Sequence, residues 1–229
     1  MRKELEQYSE YCKSLSDGYL NFVLTRNKYF SQRTFEYSKQ KLLNSLECKT
    51  KYLLTNDEFQ KYKDLKISNF FTKTSDDEII YWCSFHDDYN NLTENEIKKI
   101  VFTTINNIVE NHLNNNTTFQ YTLVIYMKNN NNNRTSKMIS NFSQKAFPDR
   151  VKKIYILPIN KNLQKVVDLA KKVLPASIAR KINLFSYDNA VLQLVKDFGY
   201  DTEDVTKYLN IIMNSTMSLE TNAYLYQVK

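Results

Sequence analysis

Glycine and proline are nearly missing: the 229 residues hold two glycines and three prolines. A Gly-rich loop that cradles phosphates is therefore excluded, whether a GxGxxG dinucleotide turn or a Walker A loop. The three cysteines, Cys12, Cys48 and Cys83, stand far apart and form no CxxC pair. That excludes a disulfide scaffold and the common zinc motifs, and it fits a reducing, cytoplasmic setting. Two histidines, His86 and His112, leave few candidate metal ligands, so no metal site is expected. No run of about 18 apolar residues is present, so no helix is expected to span a membrane. The opening MRKELEQYSEYCK is charged and lacks an apolar core, and no secretory signal is expected. No nucleophile has a neighbouring base, and scattered Asp and Glu define no acid/base pair, so the chain is expected not to be an enzyme.

What is there is ordinary globular material, 42% hydrophobic and 25% charged. Lys and Arg number 32 against 25 acidic residues, a net charge of +7. A basic excess suits nucleic acid, an anionic membrane surface or plain solubility. No Gly-aromatic RNA-binding segment occurs, and the aromatics sit at strand and helix core positions, so no nucleic-acid partner is expected. Polar runs at Asn114–Asn116 and Asn129–Asn133 read as solvated loops.

Apolar residues recur at helical spacing through Leu5, Tyr8, Cys12, Leu15, Leu20 and Val23, and again through Phe35, Leu42, Leu43 and Leu46. Asn56-Asp57 predicts the start of a short helix holding Phe59 and Tyr62. The period then changes. Residues 78–85, 121–127, 153–159 and 182–185 read as strands, and the apolar run 121–127 fits a strand buried on both faces. Thr93-x-x-Glu96 predicts a capping box that opens a long helix. Further helices are expected over 134–147, 163–174, 187–197 and 202–213. Strands alternating with crossover helices predict a mostly parallel sheet covered on both faces.

Two segments carry a resemblance. Ala146-Phe147-Pro148-Asp149-Arg150-Val151-Lys152-Lys153-Ile154-Tyr155-Ile156 resembles the "YPERlgKiYIIN" stretch of the CRAL-TRIO lipid-binding family. Leu174 to Ile182 resembles the "fLdpkTvsKIhil" stretch that follows at matching distance, and Leu20 to Phe30 resembles the family's N-terminal "LRFLRARkFdv". The resemblance implies an α/β fold: a helical N-terminal subdomain (1–70), a lipid-binding lobe (71–200) whose mostly parallel sheet of about four to five strands floors an apolar pocket, and a helical tail (201–229). It implies a non-catalytic lipid-binding or lipid-transfer protein holding one phospholipid, phosphatidylinositol among the candidates, or a similar hydrophobic ligand. The alternative on the same fold is a scaffold that recognises a small GTPase or its regulator.

The resemblance also assigns residues. Helix 163–174 occupies the position of a movable gate, with Leu163, Val166, Val167, Ala170, Val173 and Leu174 either facing the pocket or packing as an ordinary core helix. Asp149 matches the acidic residue that contributes to headgroup binding, and its other reading is a helix-end residue paired with Arg150. Arg26 matches the last Arg of the N-terminal motif and suits a phosphate through its guanidinium fork. Ser186 and Tyr187 match a headgroup stretch, but Asp188-Asn189 follow where phosphatidylinositol-transfer members carry a Lys. Loading and unloading imply transient membrane docking, for which Lys161, Lys165, Lys171 and Lys172 are the candidates, or else simply a solvated helix face.

Overall fold

A computed structural model describes residues 35–221 apart from residues 68, 75, 77, 85–88, 90, 116–119, 128–137, 140, 143–145, 148–150, 158–160 and 174–175. Arg26, Asp149 and Leu174 lie outside the described residues, as do the side chains of Lys161, Leu163, Val166, Ala170 and Val173.

The chain opens with α1 (Phe35–Tyr52) and α2 (Asn56–Tyr62), then β1 (Lys66–Ile67), β2 (Asn69–Lys73) and β3 (Ile79–Ser84). After α3 (Glu94–Asn115) come β4 (Tyr121–Tyr126) and β5 (Val151–Leu157). Between those two strands the described residues 138, 139, 141, 142 and 146 are helical. Next are α4 (Lys161–Val173), α5 (Ala176–Ala179), β6 (Ile182–Leu184), α6 (Tyr187–Phe198), α7 (Thr202–Asn214) and β7 (Met217–Ser218).

Five strands form one sheet in the order β2-β3-β4-β5-β6. The β2–β3 pair is antiparallel and the three pairs after it are parallel. Each new strand is thus added on the same side of the last. Right-handed crossovers in such a sheet put every connection on one face. The packing agrees: Phe102, Ile108 and Val109 of α3, together with Phe142, Ala146 and Phe147, cluster with Phe71 and Ile79 of the sheet and Leu42 and Leu46 of α1. The opposite face is built from Phe70, Ile80, Trp82, Val124, Tyr155 and Leu157, covered by Ala190, Leu194 and Phe198 of α6 and Val205, Leu209 and Ile212 of α7. Trp82 is a fully buried core residue.

Local chemistry sets the helix ends. Thr93 and Glu96 make the expected box, with Thr93 N donating to the Glu96 carboxylate at 2.9 Å and Glu96 N donating to the Thr93 hydroxyl at 3.3 Å. For α2 the cap is Thr55, one residue before the expected Asn56-Asp57, because Glu58 stands three residues on and closes a second box. The two boxes are cross-linked. Lys99 of α3 ion-pairs with Glu58, while Lys61 and the Tyr62 hydroxyl of α2 hold Glu96 at 3.2 and 2.5 Å. A final ladder pairs β1 with β7 antiparallel, Lys66 against Ser218 and Ile67 against Met217. It seats Leu219 among Leu54, Tyr62, Ile67 and Ile100.

Two hydrogen-bonded polar groups flank the α6 and α7 side of the sheet. Trp82 Nε1 and the Tyr200 hydroxyl both donate to the Thr72 hydroxyl, at 2.8 and 2.9 Å. The Tyr155 hydroxyl donates to Asp197, which also accepts from Lys153 at 3.2 Å and Gln193 at 2.7 Å. Burial opposes the ionised Asp197, but these three donors outweigh it and hold the carboxyl below its usual range.

Candidate functional site

The strand register lines up two rows of side chains on the α3 side of the sheet. One row runs Phe71, Tyr81, Leu123, Ile154, Ile182; the next runs Asn69, Cys83, Ile125, Ile156, Leu184. Burial changes along each row. Phe71, Asn69 and Cys83 are buried, whereas Leu123, Ile125, Ile154, Ile156, Ile182 and Leu184 are only half-buried. Among the described residues none of these six aliphatic side chains joins a hydrophobic core cluster. The expectation that 121–127 is buried on both faces is therefore corrected. Thr122 and Val124 are fully buried on one face, and Leu123 and Ile125 are half-open on the other. These six side chains form a half-buried aliphatic floor on the α3 side of the sheet.

That crossover contains α4, the expected gate. Val167 is buried, while Gln164, Lys165, Asp168, Leu169 and Lys172 are exposed and Lys171 is half-buried. Lys165, Lys171 and Lys172 have no partner among the described residues. By contrast Lys152 pairs with Glu78, Lys153 with Asp197, and Lys181 donates to the Val151 carbonyl, so these three serve the fold. Leu169 is 64% exposed between Lys165 and Lys172, a feature the sequence reading did not single out.

At the carboxyl end of β6, Ser186 is the exposed N-cap of α6 and its hydroxyl makes no capping bond. Tyr187 is half-buried against the opposite-face cluster. Burial raises its hydroxyl pKa, with Tyr126 and Asp188 adding to the shift. Gate and headgroup candidates thus approach the sheet at different places: Val167 lies on the crossover, Ser186 at the strand end, and Tyr187 on the α6 side.

The buried end of the floor is polar. Tyr89 donates from its hydroxyl to Asn69 Oδ1 at 3.0 Å, and Asn69 Nδ2 donates to the Tyr81 hydroxyl at 3.2 Å. Burial pushes the Tyr81 hydroxyl well above its ordinary pKa and the Cys83 thiol up to about 12. Both therefore stay neutral and protonated. Sequence reasoning missed Tyr81 because its partners come from β2 and from the segment after β3. No group of three or more His, Cys, Asp or Glu side chains able to hold a metal occurs among the described residues.

A family model described as the CRAL/TRIO domain matches residues 71–209. The chain belongs to the CRAL/TRIO domain family. The match takes in β3 to β6 and most of α7, hence the floor and its crossover. Among solved structures the chain is similar to the crystal structure of Sfh5, at 17% identity and a TM-score of 0.47, covering 94% of this chain and 81% of that one. No curated protein matches the chain in sequence. Among the described residues no helix is long and apolar enough to cross a membrane. The CRAL/TRIO membership supports a lipid-binding family and the mixed α/β fold seen here.

Proposed function

We propose that this CRAL/TRIO chain holds one lipid, its hydrocarbon lying on the aliphatic floor beneath α4. The observation that carries the reading is the set of six half-buried aliphatic side chains, in register across β4, β5 and β6, that no described core residue covers. Partly exposed aliphatic surface is costly in water, and each methylene laid on it stabilises the complex by ~0.8 kcal/mol. In this reading Leu163, Val166, Val167, Ala170, Val173 and Leu174 close the pocket from α4. Asp149, Arg26, Ser186 and Tyr187 meet the headgroup. Exchange takes place at an anionic membrane surface, where Lys161, Lys165, Lys171 and Lys172 each contribute about 1 kcal/mol of attraction. Leu169, exposed among those lysines, enters the interface. The chain is then a peripheral, cytoplasmic carrier of a phospholipid or related hydrophobic ligand, and its work is binding rather than catalysis.

The test is solvent extraction of the purified protein with mass spectrometry of the extract, and native mass spectrometry for stoichiometry. One lipid per chain is expected. A protein that is empty and also takes up nothing from phosphatidylcholine vesicles containing phosphatidylinositol refutes the reading.

A further inference from the structure

Tyr81 combines two properties that rarely meet in one side chain. Its ring is fixed, stacked on Phe71 at 4.3 Å between centroids and edge-on to Tyr121 at 6.2 Å. It is also strongly desolvated, yet remains only half-buried. It packs against the α3-side core cluster and stands where that core gives way to the half-buried part of the floor. It sits in the first row of the floor, directly beside Leu123, with Cys83 and Ile125 in the next row.

Its hydrogen bonding is incomplete in one direction. The Tyr89 hydroxyl points at Asn69 Oδ1, which turns Asn69 Nδ2 towards Tyr81. The Tyr81 oxygen is therefore an acceptor in this chain of bonds, and its own proton has no acceptor among the described residues. A desolvated donor left unmade costs free energy, which a ligand oxygen recovers. The two rows of described residues offer an anion no charge, since they hold no Lys, Arg, Asp or Glu. Phosphate in this place would stay unneutralised, whereas a carbonyl oxygen needs only one neutral donor.

The geometry points to Tyr81 as a specificity residue whose hydroxyl donates to an uncharged carbonyl oxygen on the lipid, so that the floor selects ester- or ketone-bearing tails over plain hydrocarbon. This rests on the lipid-pocket reading above and names the ligand chemistry at one end of it.

Two probes of equal chain length test it: a pyrene-labelled fatty acid methyl ester and the matching pyrene-labelled alkane. Binding to stripped protein is read by energy transfer from the single tryptophan, Trp82. The wild type is expected to bind the ester about fivefold more tightly than the alkane, and Tyr81→Phe to bind the two equally. The phenyl ring keeps the stack on Phe71, and thermal melting verifies that the variant folds. A second readout needs no variant. The infrared band of the bound ester carbonyl is expected at lower wavenumber in wild-type protein than in dry hydrocarbon. Equal affinity of the wild type for both probes, an ester preference that survives in Tyr81→Phe, or an unshifted carbonyl band overturns the proposal while leaving the lipid pocket intact. If neither probe binds, the pocket reading itself fails and takes this proposal with it.

Discussion

Ile156 and Leu157 are neighbours on β5 that point to opposite faces, and replacing each by Ala separates floor from core within a single strand. Leu157 is 0% exposed among the residues under α6 and α7. Its truncation removes buried methyls and leaves a cavity, at a cost of about 3 kcal/mol. In a chain of this size each kcal/mol lowers the melting temperature by about 2–4 °C, so Leu157→Ala is expected to melt ~6–12 °C lower. Ile156 is half-buried and belongs to no core cluster among the described residues. Ile156→Ala in stripped protein is therefore expected to cost about 1 kcal/mol or less. The opposite change sharpens the contrast. Ile156→Trp fills space above the floor, so stripped protein should melt within about 2 °C of wild type, and the lipid recovered by extraction should fall. A packed core instead answers overpacking with a loss of about 1–3 kcal/mol. Differential scanning calorimetry on stripped protein, with lipid mass spectrometry on protein as purified, reads both quantities. Equal melting losses for the two Ala variants, or a strongly destabilised Ile156→Trp that keeps its lipid, refute the claim that this face is an open floor.

Two further outcomes follow from the polar contacts. Glu96 is held at a pKa of about 2, chiefly by the Tyr62 hydroxyl and then by Thr93 and Lys61, against 4.5 for a free glutamate. Its folded pKa is depressed, so its stabilisation is complete above about pH 4.5 and is lost as the pH falls towards 2. Glu96→Gln is expected to lower the melting temperature at pH 7 and to flatten that acid-side decline, as followed by circular dichroism from pH 7 to 2. An unchanged acid profile would contradict the assignment. Thr72→Val leaves the Trp82 and Tyr200 donors without their shared acceptor. A loss of about 2 kcal/mol or more is expected in urea unfolding, with Trp82 fluorescence as the probe, and a loss below about 0.5 kcal/mol would refute the shared-acceptor role.

Strands β3 to β6 were legible because each packs β-branched and aromatic residues into one short run between polar breaks. The Thr93 box was legible because its partners lie three residues apart. The elements that escaped depend on distant partners. β2 reads Asn-Phe-Phe-Thr-Lys, too short and too little alternating to announce itself, and becomes a strand by pairing with β3. β1 and β7 have two residues each and exist only because they meet each other. At the site, the aliphatic residues were visible as strand residues, but half-exposure depends on what lies above a face, and local sequence does not encode that. The same holds for Tyr81: a tyrosine in a strand is ordinary until Asn69, itself bonded by Tyr89, takes up one side of its hydroxyl. The lysines of α4 were legible as a basic stripe, and Leu169 between them was hidden by its apolar character, which reads as core.

The pairing of β1 with β7 also bears on the order in which the molecule is made. Leu65 and Lys63 accept the amides of Leu219 and Glu220, so the surroundings of α2 stay unfinished until residues near 220 have left the ribosome. Contacts spanning so much chain close late, because their loop entropy must be met before they return any stabilisation. Until then Ile67 and Ile100, both almost wholly buried in the finished fold, remain uncovered by Leu219. A growing chain stalled shortly before that point therefore presents an apolar patch to chaperones.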